Sequence, residues 1–399
     1  MTAAERERVD APRLVITGAA LADGTRPELV KDVTLSVFGN VIDGLWTEGD
    51  GPDPAELGAR VIDGSGATIV PGMVDSHAHL TLPGGARWLE HGLDDAEDLL
   101  LTGEENGAAM VRAGVRWARD VGAPRRDGRA VSLTLRERWR HRQDRPYLRV
   151  AGTWLTRKGS IPSGLSIELE HGADLIDAVT EQLDAGADLV KLYLDGPEED
   201  VSPFSVREIA AAVRAAHDRN ARVAAHASRL AGAAAGALAG VDSIEHGFAI
   251  DDDTAATMAS NSSTLVATLA VFESWTSFGS TTRTERFAGP DAASSLAARR
   301  ESAYSSIVTV RRHGVAIAAG TDAGGGSLRA DQLAWEIQSL VSAGLEPHEA
   351  LAAATWRGGQ LFGDEFAGRV VVGGPAHFSL VHGDPLSDPS CLWRIWLSR

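Results

Sequence analysis

The sequence predicts an α/β fold, a (β/α)8 TIM-like barrel with a small β-sandwich formed by the N- and C-terminal segments. From residue 69 onward, short apolar runs alternate with helix patterns, and eight such units indicate a parallel barrel. Both ends of the chain instead carry short β-type runs separated by Gly, Asp and Pro turn signals. We therefore expect a β-sandwich domain from residues 1–68 and 364–399, and a metal-dependent (β/α)8 catalytic domain over residues 69–363.

Individual elements follow from the same patterns. Sandwich strands are predicted at residues 14–17, 33–38, 41–45 and 68–70, and β texture returns over 368–381. Barrel strands are predicted near residues 69–76, 115–121, 148–154, 187–193, 222–226, 242–246, 264–270 and 315–321. Helix patterns lie between most of them, for example over 174–185, 205–219 and 332–343. The last helix is predicted over 347–361, since Pro347 suits a first helical turn.

Composition limits the classes of partner. A chain of 399 residues can bury one large barrel and an accessory domain. Its formal net charge of −17 repels phosphate backbones and anionic lipid, so we expect neither nucleic acid nor membrane as a partner. The one cysteine, Cys391, excludes an intramolecular disulfide and fits a reducing compartment. Residues 1–13 show no signal peptide and residues 223–241 do not resemble a membrane span, so we expect a cytoplasmic protein.

Polar residues that are candidate metal ligands mark the ends of the predicted barrel strands. His77 and His79 are two residues apart at the end of the first strand, so their side chains point the same way and can share one divalent ion. The fourth, fifth, sixth and eighth strands end in further candidates. The six candidate ligands are His77, His79, Lys191, His226, His246 and Asp322. Because the C-terminal face of a barrel carries its chemistry, this pattern predicts a metal centre and an enzyme.

Lys191 requires a separate explanation, because an ammonium beside metal ions would be repelled. Burial could deprotonate it, it could pair with Asp322, or it could react with CO2 to form a carbamate that bridges two metals. A fourth alternative is a structural lysine whose head group extends to solvent at the barrel rim. The residues alone leave these alternatives open.

The run IVPGMVDSHAH at residues 69–79 resembles the first barrel strand of the amidohydrolase superfamily. Lys191, His226, His246 and Asp322 match the remaining ligand positions of that superfamily, and the resemblance covers nearly the whole chain. It implies two divalent metal ions, with zinc as the expected metal, and a CO2-derived carbamate on Lys191. By the same resemblance His77, His79 and Asp322 would hold a buried ion, His226 and His246 an exposed one, and Lys191 would bridge both.

This resemblance implies a reaction. A hydroxide that bridges two metals is nucleophilic at neutral pH, and Asp322 is the expected catalytic base that later protonates the leaving amine. We therefore expect a hydrolase of amide bonds in peptides or N-acyl amino acids, with a peptide-processing step in a biosynthetic pathway as one version. Lactone or phosphotriester hydrolysis on the same centre is the alternative. Deamination and cyclic-amide hydrolysis come after it, and a non-catalytic barrel that binds a ligand is the alternative outside enzymes.

Within the superfamily, the sequences IEHG at residues 244–247 and GTDA at 320–323 resemble the imidazolonepropionase and Xaa-Pro dipeptidase-like branch. A Gly-Gly-His-type run associated with the third-strand loop of that branch is replaced here by TRKGS at residues 156–160, which leaves the substrate undetermined. Tyr193, Arg157 and Lys158 are candidate contacts to a substrate carboxylate or oxyanion. Glu245 precedes His246, so strand alternation predicts that it faces the helices. The partner is expected to be a small molecule or peptide, and a homo-oligomer is left open.

Overall fold

The computed structural model describes residues 13–160, 162 and 164–399. Its strands are β1 (Leu14–Leu21), β2 (Val30–Phe38), β3 (Val41–Trp46), β4 (Arg60–Asp63), β5 (Ala67–Pro71), β6 (Met73–Ala78), β7 (Val115–Asp120), β8 (Arg125–Arg126), β9 (Arg129–Ala130), β10 (Tyr147–Val150), β11 (Leu155–Arg157), β12 (Ile167–Leu169), β13 (Leu189–Tyr193), β14 (Arg222–Ala227), β15 (Ser243–His246), β16 (Thr264–Ala267), β17 (Ile317–Ala319), β18 (Phe378–His382) and β19 (Ile395–Ser398).

The helices are α1 (Trp88–His91), α2 (Ala96–Arg112), α3 (Val131–Trp139), α4 (Leu175–Asp184), α5 (Val206–His217), α6 (Leu230–Ala239), α7 (Asp252–Ser260), α8 (Ala270–Thr281), α9 (Glu285–Ala288), α10 (Ala292–Arg312), α11 (Leu333–Ser342), α12 (Pro347–Ala353) and α13 (Trp356–Phe362). Short 3-10 turns lie at Gly172–Asp174 and Pro389–Trp393. Strands that alternate with helices confirm the predicted α/β fold. Among the described residues, no helix is both long enough and apolar enough to cross a membrane.

Eight strands, β6, β7, β10 and β13–β17, are here called the parallel strands. β6, β7 and β10 pair in parallel in one group, and β13–β17 pair in parallel, in chain order, in another. Backbone hydrogen bonds link the two groups at both seams, from Thr321 N to His77 O at 3.1 Å and from Asp188 N to Val150 O at 2.8 Å. The C-terminal ends of these strands therefore lie at one common edge.

The two ends of the chain meet in one seven-stranded sheet, here called the terminal sheet. Its order is β19-β18-β5-β1-β2-β3, with β4 also paired to β1. β18 pairs antiparallel with β5, which ties residues near the C-terminus to residues that precede the first parallel strand. The terminal sheet buries its own apolar cluster, which includes Ile16, Leu35, Ile42, Ile69 and Phe378. Both β-rich ends of the chain thus contribute strands to one sheet.

Two predicted elements are wrong in their extent. The strand predicted over residues 69–76 is two strands, because Pro71 cannot donate a ladder hydrogen bond and Gly72 N donates instead to His377 O at 2.9 Å. β5 consequently belongs to the terminal sheet. The helix predicted over 347–361 is also divided, into α12 and α13, at Thr355, whose backbone is non-helical (φ −127°, ψ −113°).

The helix start at Ser205 follows from local sequence. The Ser205 side chain accepts from Glu208 N, and the Glu208 carboxylate accepts from Ser205 N at 2.8 Å, forming a capping box. The apolar face of α5 is buried through Ile209, Ala212 and Val213. This cap fixes where α5 begins, between the fourth and fifth parallel strands.

Candidate metal centre

His77, His79 and Asp322 come together at the C-terminal edge of the parallel strands. One ligand atom from each lies within 4.8 Å of the others. Asp322 Oδ1 is 3.4 Å from His77 Nε2 and 3.3 Å from His79 Nε2. His77 is fully buried, and the Asp322 backbone N–H donates to the His77 carbonyl at 2.8 Å, which brings the first and last parallel strands together. Two imidazoles and a carboxylate form a suitable donor set for zinc.

The predicted second pair of histidines lies beside the first. The rings of His226 and His246 are 4.5 Å apart, and the ring of His246 is 4.8 Å from that of His77. His246 Nδ1 is 2.9 Å from Thr268 Oγ1, which leaves Nε2 for a ligand. Burial and the neighbouring His226 and His77 hold the pKa of His246 well below its usual range, so its imidazole is neutral, the form that binds metals.

Lys191 lies in the same cluster and is only 1% exposed. Its Nζ makes no hydrogen bond to any residue that the structure describes, a costly state for a buried ammonium. Burial lowers the pKa of Lys191 to about 8, although the carboxylates of Glu245 and Asp322 oppose the shift. The orphaned Nζ and the surrounding imidazoles and carboxylate are the observations that fit a binuclear metal centre with a modified lysine.

Two ligand positions have strained backbone. His246 has a φ of 73° and Asp322 a φ of 55°, a region that residues other than glycine seldom occupy. His246 is the last residue of β15 and Asp322 follows the end of β17 by three residues, so both lie where the chain leaves a parallel strand. Strain of this kind collects at functional sites, where the surrounding structure holds it in place.

The prediction for Glu245 is wrong, because its carboxylate points into the strand set. Glu245 Oε2 is 2.6 Å from His77 Nδ1, and Glu245 Oε1 accepts from Arg119 Nη2 at 3.3 Å and from Ser243 Oγ. Burial alone would raise the pKa of Glu245, but the positive charges of Arg119 and Lys191 hold it below its usual range. Strand alternation fails here because His246 leaves the extended conformation.

Asp195 is a site residue that the sequence reasoning missed. Its Oδ2 is 3.1 Å from His226 Nε2 and accepts from Ser228 N at 2.8 Å. The spacing of Lys191, Tyr193 and Asp195 was an available signal, since all three share one strand parity. Asp195 therefore holds the ring of a predicted metal ligand, His226, through its Nε2.

The six predicted ligands line a common cavity of about 330 Å³. Tyr193 also lines it, and its ring stacks on that of His226 at 3.7 Å. Aromatic side chains form much of the remaining wall, namely Trp88, Trp154, Phe248 and Trp275. The structure does not bring Arg157 and Lys158 to this cavity: neither is among its lining residues, and Lys158 pairs with Glu170 at an exposed position.

Known proteins resemble this chain over most of its length. Residues 68–394 match the model of the Amidohydrolase family. An uncharacterized protein of Mycobacterium tuberculosis is 31% identical over 358 residues, which cover 88% of this chain and 85% of that protein. An imidazolonepropionase of Streptomyces griseus is 37% identical over 71 residues, which cover 18% of this chain and 17% of that enzyme.

Solved structures agree with the fold. A Xaa-Pro dipeptidase with methionine bound in its active site superposes with a TM-score of 0.81 at 23% identity, covering 96% of this chain and 97% of that one. The crystal structure of an amidohydrolase gives a TM-score of 0.80 at 26% identity, covering 97% of each chain. The family match covers all the parallel strands and all six candidate ligands, and from the terminal sheet it includes β18 and most of β5. The chain therefore belongs to the amidohydrolase family and is a hydrolase that acts on C–N bonds.

Proposed function

We propose that this protein is a metal-dependent hydrolase of peptides or N-acyl amino acids, with a binuclear zinc centre. The observation that carries the proposal is the convergence of His77, His79, Lys191, His226, His246 and Asp322 on one cavity. Divalent ions held there would supply Lewis acidity to the scissile carbonyl and make an attacking water more acidic. Processing of a peptide in a biosynthetic pathway is the narrower version of this function.

The architecture behind the site is part of the proposal. We propose that the parallel strands close into one (β/α)8 barrel over residues 69–363, and that the terminal sheet folds over its apolar cluster as a small sandwich from residues 1–68 and 364–399. The hydrogen bonds at both seams between the two strand groups support closure. A closed barrel gathers strand ends at one mouth, which explains why residues distant in sequence share the cavity.

Lys191 would complete the centre as a carbamate. In this reaction the uncharged amine forms an N–C bond to CO2 and releases a proton, which turns a basic side chain into a carboxylate-like ligand. The buried Nζ, without a described hydrogen-bond partner, supports this assignment, because a bridging carbamate would satisfy it. The four imidazoles and Asp322 would supply the remaining ligands.

Asp322 is the proposed proton carrier. Its Oδ1 lies within 3.4 Å of both His77 and His79 at the cavity wall. Burial alone would raise the pKa of Asp322, but the two imidazoles keep the pKa well below its usual range, so the carboxylate is ionised and can accept a proton from the attacking water. It would return that proton to the leaving amine as the C–N bond breaks. Tyr193, beside His226, can donate a hydrogen bond to the substrate.

The experiment compares zinc-loaded and chelator-treated protein on dipeptides, N-acyl amino acids, lactones and phosphotriesters. We expect amide hydrolysis, measured as released amine, only with metal present. Asp322→Asn should lower kcat by about 100-fold or more, the usual range for a lost acid–base group. Asp63→Asn, which removes an exposed carboxylate of the terminal sheet, is the matched control and should leave kcat unchanged. Turnover of lactones or phosphotriesters without amides would overturn the proposal.

A further inference from the structure

A second cavity, of about 750 Å³, adjoins the cavity that the metal ligands line. Four residues line both cavities and are here called the waist: Ser228, Arg229, Phe248 and Arg299. The waist is next to the candidate ligand His226, since Ser228 Oγ is 3.4 Å from His226 Nε2. The metal cavity therefore continues past the waist into the second cavity, which is lined in part by the segments that follow the fourth, fifth and sixth parallel strands.

One side of the waist is tied to the ligand set. Arg229 Nη1 donates to the carbonyl oxygens of Gly196 at 3.1 Å and Glu198 at 3.3 Å. Arg229 N donates to Asp195 Oδ1 at 3.3 Å, and Asp195 also pairs with His226. Arg229 is thus held at a fixed place relative to a candidate metal ligand, and is positioned to contact a bound substrate.

The other side of the waist is carried by α10. The Arg299 guanidinium lies 5.5 Å from the ring centre of Trp275, itself a wall of the metal cavity. Ser302, one turn further along α10, donates to Phe248 O at 2.7 Å, and the Phe248 ring is 5.5 Å from that of His246. Guanidinium N–H groups on both sides can donate to carbonyl oxygens of a chain that passes between them.

The lining of the second cavity favours an uncharged ligand. Part of its lining is apolar. It consists of Leu230, Ala231 and Ala234 on α6 and of Ala249 after β15. Three acidic residues, Glu199, Asp200 and Asp251, line it as well and outnumber the two arginines of the waist, so the charge of the lining disfavours an anionic group. The metal cavity, at about 330 Å³, is near the lower limit of ligand pockets, so a substrate larger than a dipeptide extends beyond it, and the second cavity is next to it at the waist.

We propose that the substrate is an amide with one long, uncharged acyl or peptidyl arm that passes between Arg229 and Arg299 into the second cavity. This inference rests on the proposed function and defines its substrate class. The scissile amide lies at the ligand set, a shorter group contacts the aromatic wall, and the long arm lies against α6. Arms that end in a carboxylate are disfavoured by the acidic residues of the second cavity.

The test uses the zinc-loaded full chain and N-acetyl, N-hexanoyl and N-decanoyl derivatives of one amino acid. We expect kcat/KM to rise by about tenfold or more from acetyl to decanoyl, because added methylenes are buried. An arm of equal length that ends in a carboxylate should lose this gain. Binding of the decanoyl compound to metal-free protein, measured by calorimetry, should be tighter than that of the acetyl compound.

Variants on two walls of the second cavity locate the effect. Ala231→Phe on α6 and Ala249→Phe after β15 should each reduce the decanoyl-to-acetyl ratio of kcat/KM toward one. Leu238→Phe, on the exposed face of the same helix, is the control and should leave the ratio unchanged. Cleavage of N-acetyl compounds with no gain from longer arms would overturn this inference and leave the proposed function intact. Failure to cleave any amide would instead refute the proposed function.

Discussion

Glu245 offers the most informative single substitution, because it joins a candidate metal ligand to a buried arginine. Its carboxylate is 2.6 Å from His77 Nδ1 and 3.3 Å from Arg119 Nη2, and all three side chains are buried. Glu245 therefore fixes the ring of His77 with Nε2 toward the proposed metal, and balances the charge of Arg119. Glu245→Gln removes the charge and keeps an acceptor, whereas Glu245→Ala removes both.

Typical effects of such substitutions set the expected changes in zinc affinity and in stability. Substitution of the residue that orients a metal-bound histidine typically costs 10- to 100-fold in metal affinity, so loss of the Glu245 charge in Glu245→Gln should weaken zinc binding by roughly 1.4–2.8 kcal/mol. Both substitutions leave Arg119 without its buried countercharge, and Glu245→Ala also removes the hydrogen-bond acceptor. Breaking such a pair should lower the free energy of unfolding of the metal-free protein by about 3–5 kcal/mol.

Zinc affinity would be measured by competition with a chromophoric chelator, and stability by urea unfolding of metal-free protein. Glu170→Gln, which removes an exposed carboxylate paired with Lys158, is the matched control and should change neither quantity. The reasoning would be refuted if Glu245→Gln bound zinc as tightly as the parent protein. It would be equally refuted if Glu245→Ala unfolded at the parent urea concentration.

Three further predictions concern other parts of the molecule. Burial raises the pKa of Glu336, which accepts a hydrogen bond from Ala270 N, to about 8. The native state therefore keeps a proton that the unfolded chain loses near its usual pKa of 4.5, so the stability that Glu336 contributes is fully present below about pH 4.5 and is lost, by up to about 5 kcal/mol, as the pH rises through about 8. Urea unfolding across this pH range should show that slope, and Glu336→Gln should remove it; an unchanged slope would contradict the assignment. Gly325→Ala would place a Cβ 2.0 Å from His79 Cδ2, so calorimetry should record weaker zinc binding, and unchanged binding would show that the ring can move without loss. Burial raises the pKa of Cys391 to about 11, so iodoacetamide should label it slowly in native protein and rapidly in urea, and equal rates would show that the thiol is accessible.

Regular patterns in the sequence identified the main elements and a set of candidate ligands. The alternation of apolar runs and helix patterns placed each parallel strand within a few residues of its position in the structure. Strand parity correctly predicted that the two histidines His77 and His79 approach one point, since both lie 3.3–3.4 Å from Asp322 Oδ1. Both results rest on local periodicity, which a single sequence records directly.

Features that depend on non-local geometry could not be predicted in this way. Glu245 and His246 are neighbours that both face the metal centre, because His246 has a positive φ and does not continue the strand alternation. No residue type signals that conformation. β11, which ends at Arg157, pairs with β12, and Lys158 N donates to Leu169 O at 3.1 Å, so these contacts hold Arg157 and Lys158 beside β12 and not at the metal cavity. The waist likewise combines α10 with the loops after β14 and β15, so only the folded chain brings its residues together.

Metal content is the most direct test of the central claim that Lys191 and the five other candidates form one binuclear centre. Elemental analysis would compare protein purified without chelator with a Lys191→Ala variant and with Lys158→Ala, an exposed lysine outside the cavity. We predict about two zinc ions per chain in the parent and the Lys158→Ala control, consistent with four imidazoles, one carboxylate and a carbamate as ligands, and a marked loss in Lys191→Ala. One ion per chain, retained in Lys191→Ala, would contradict the bridged centre.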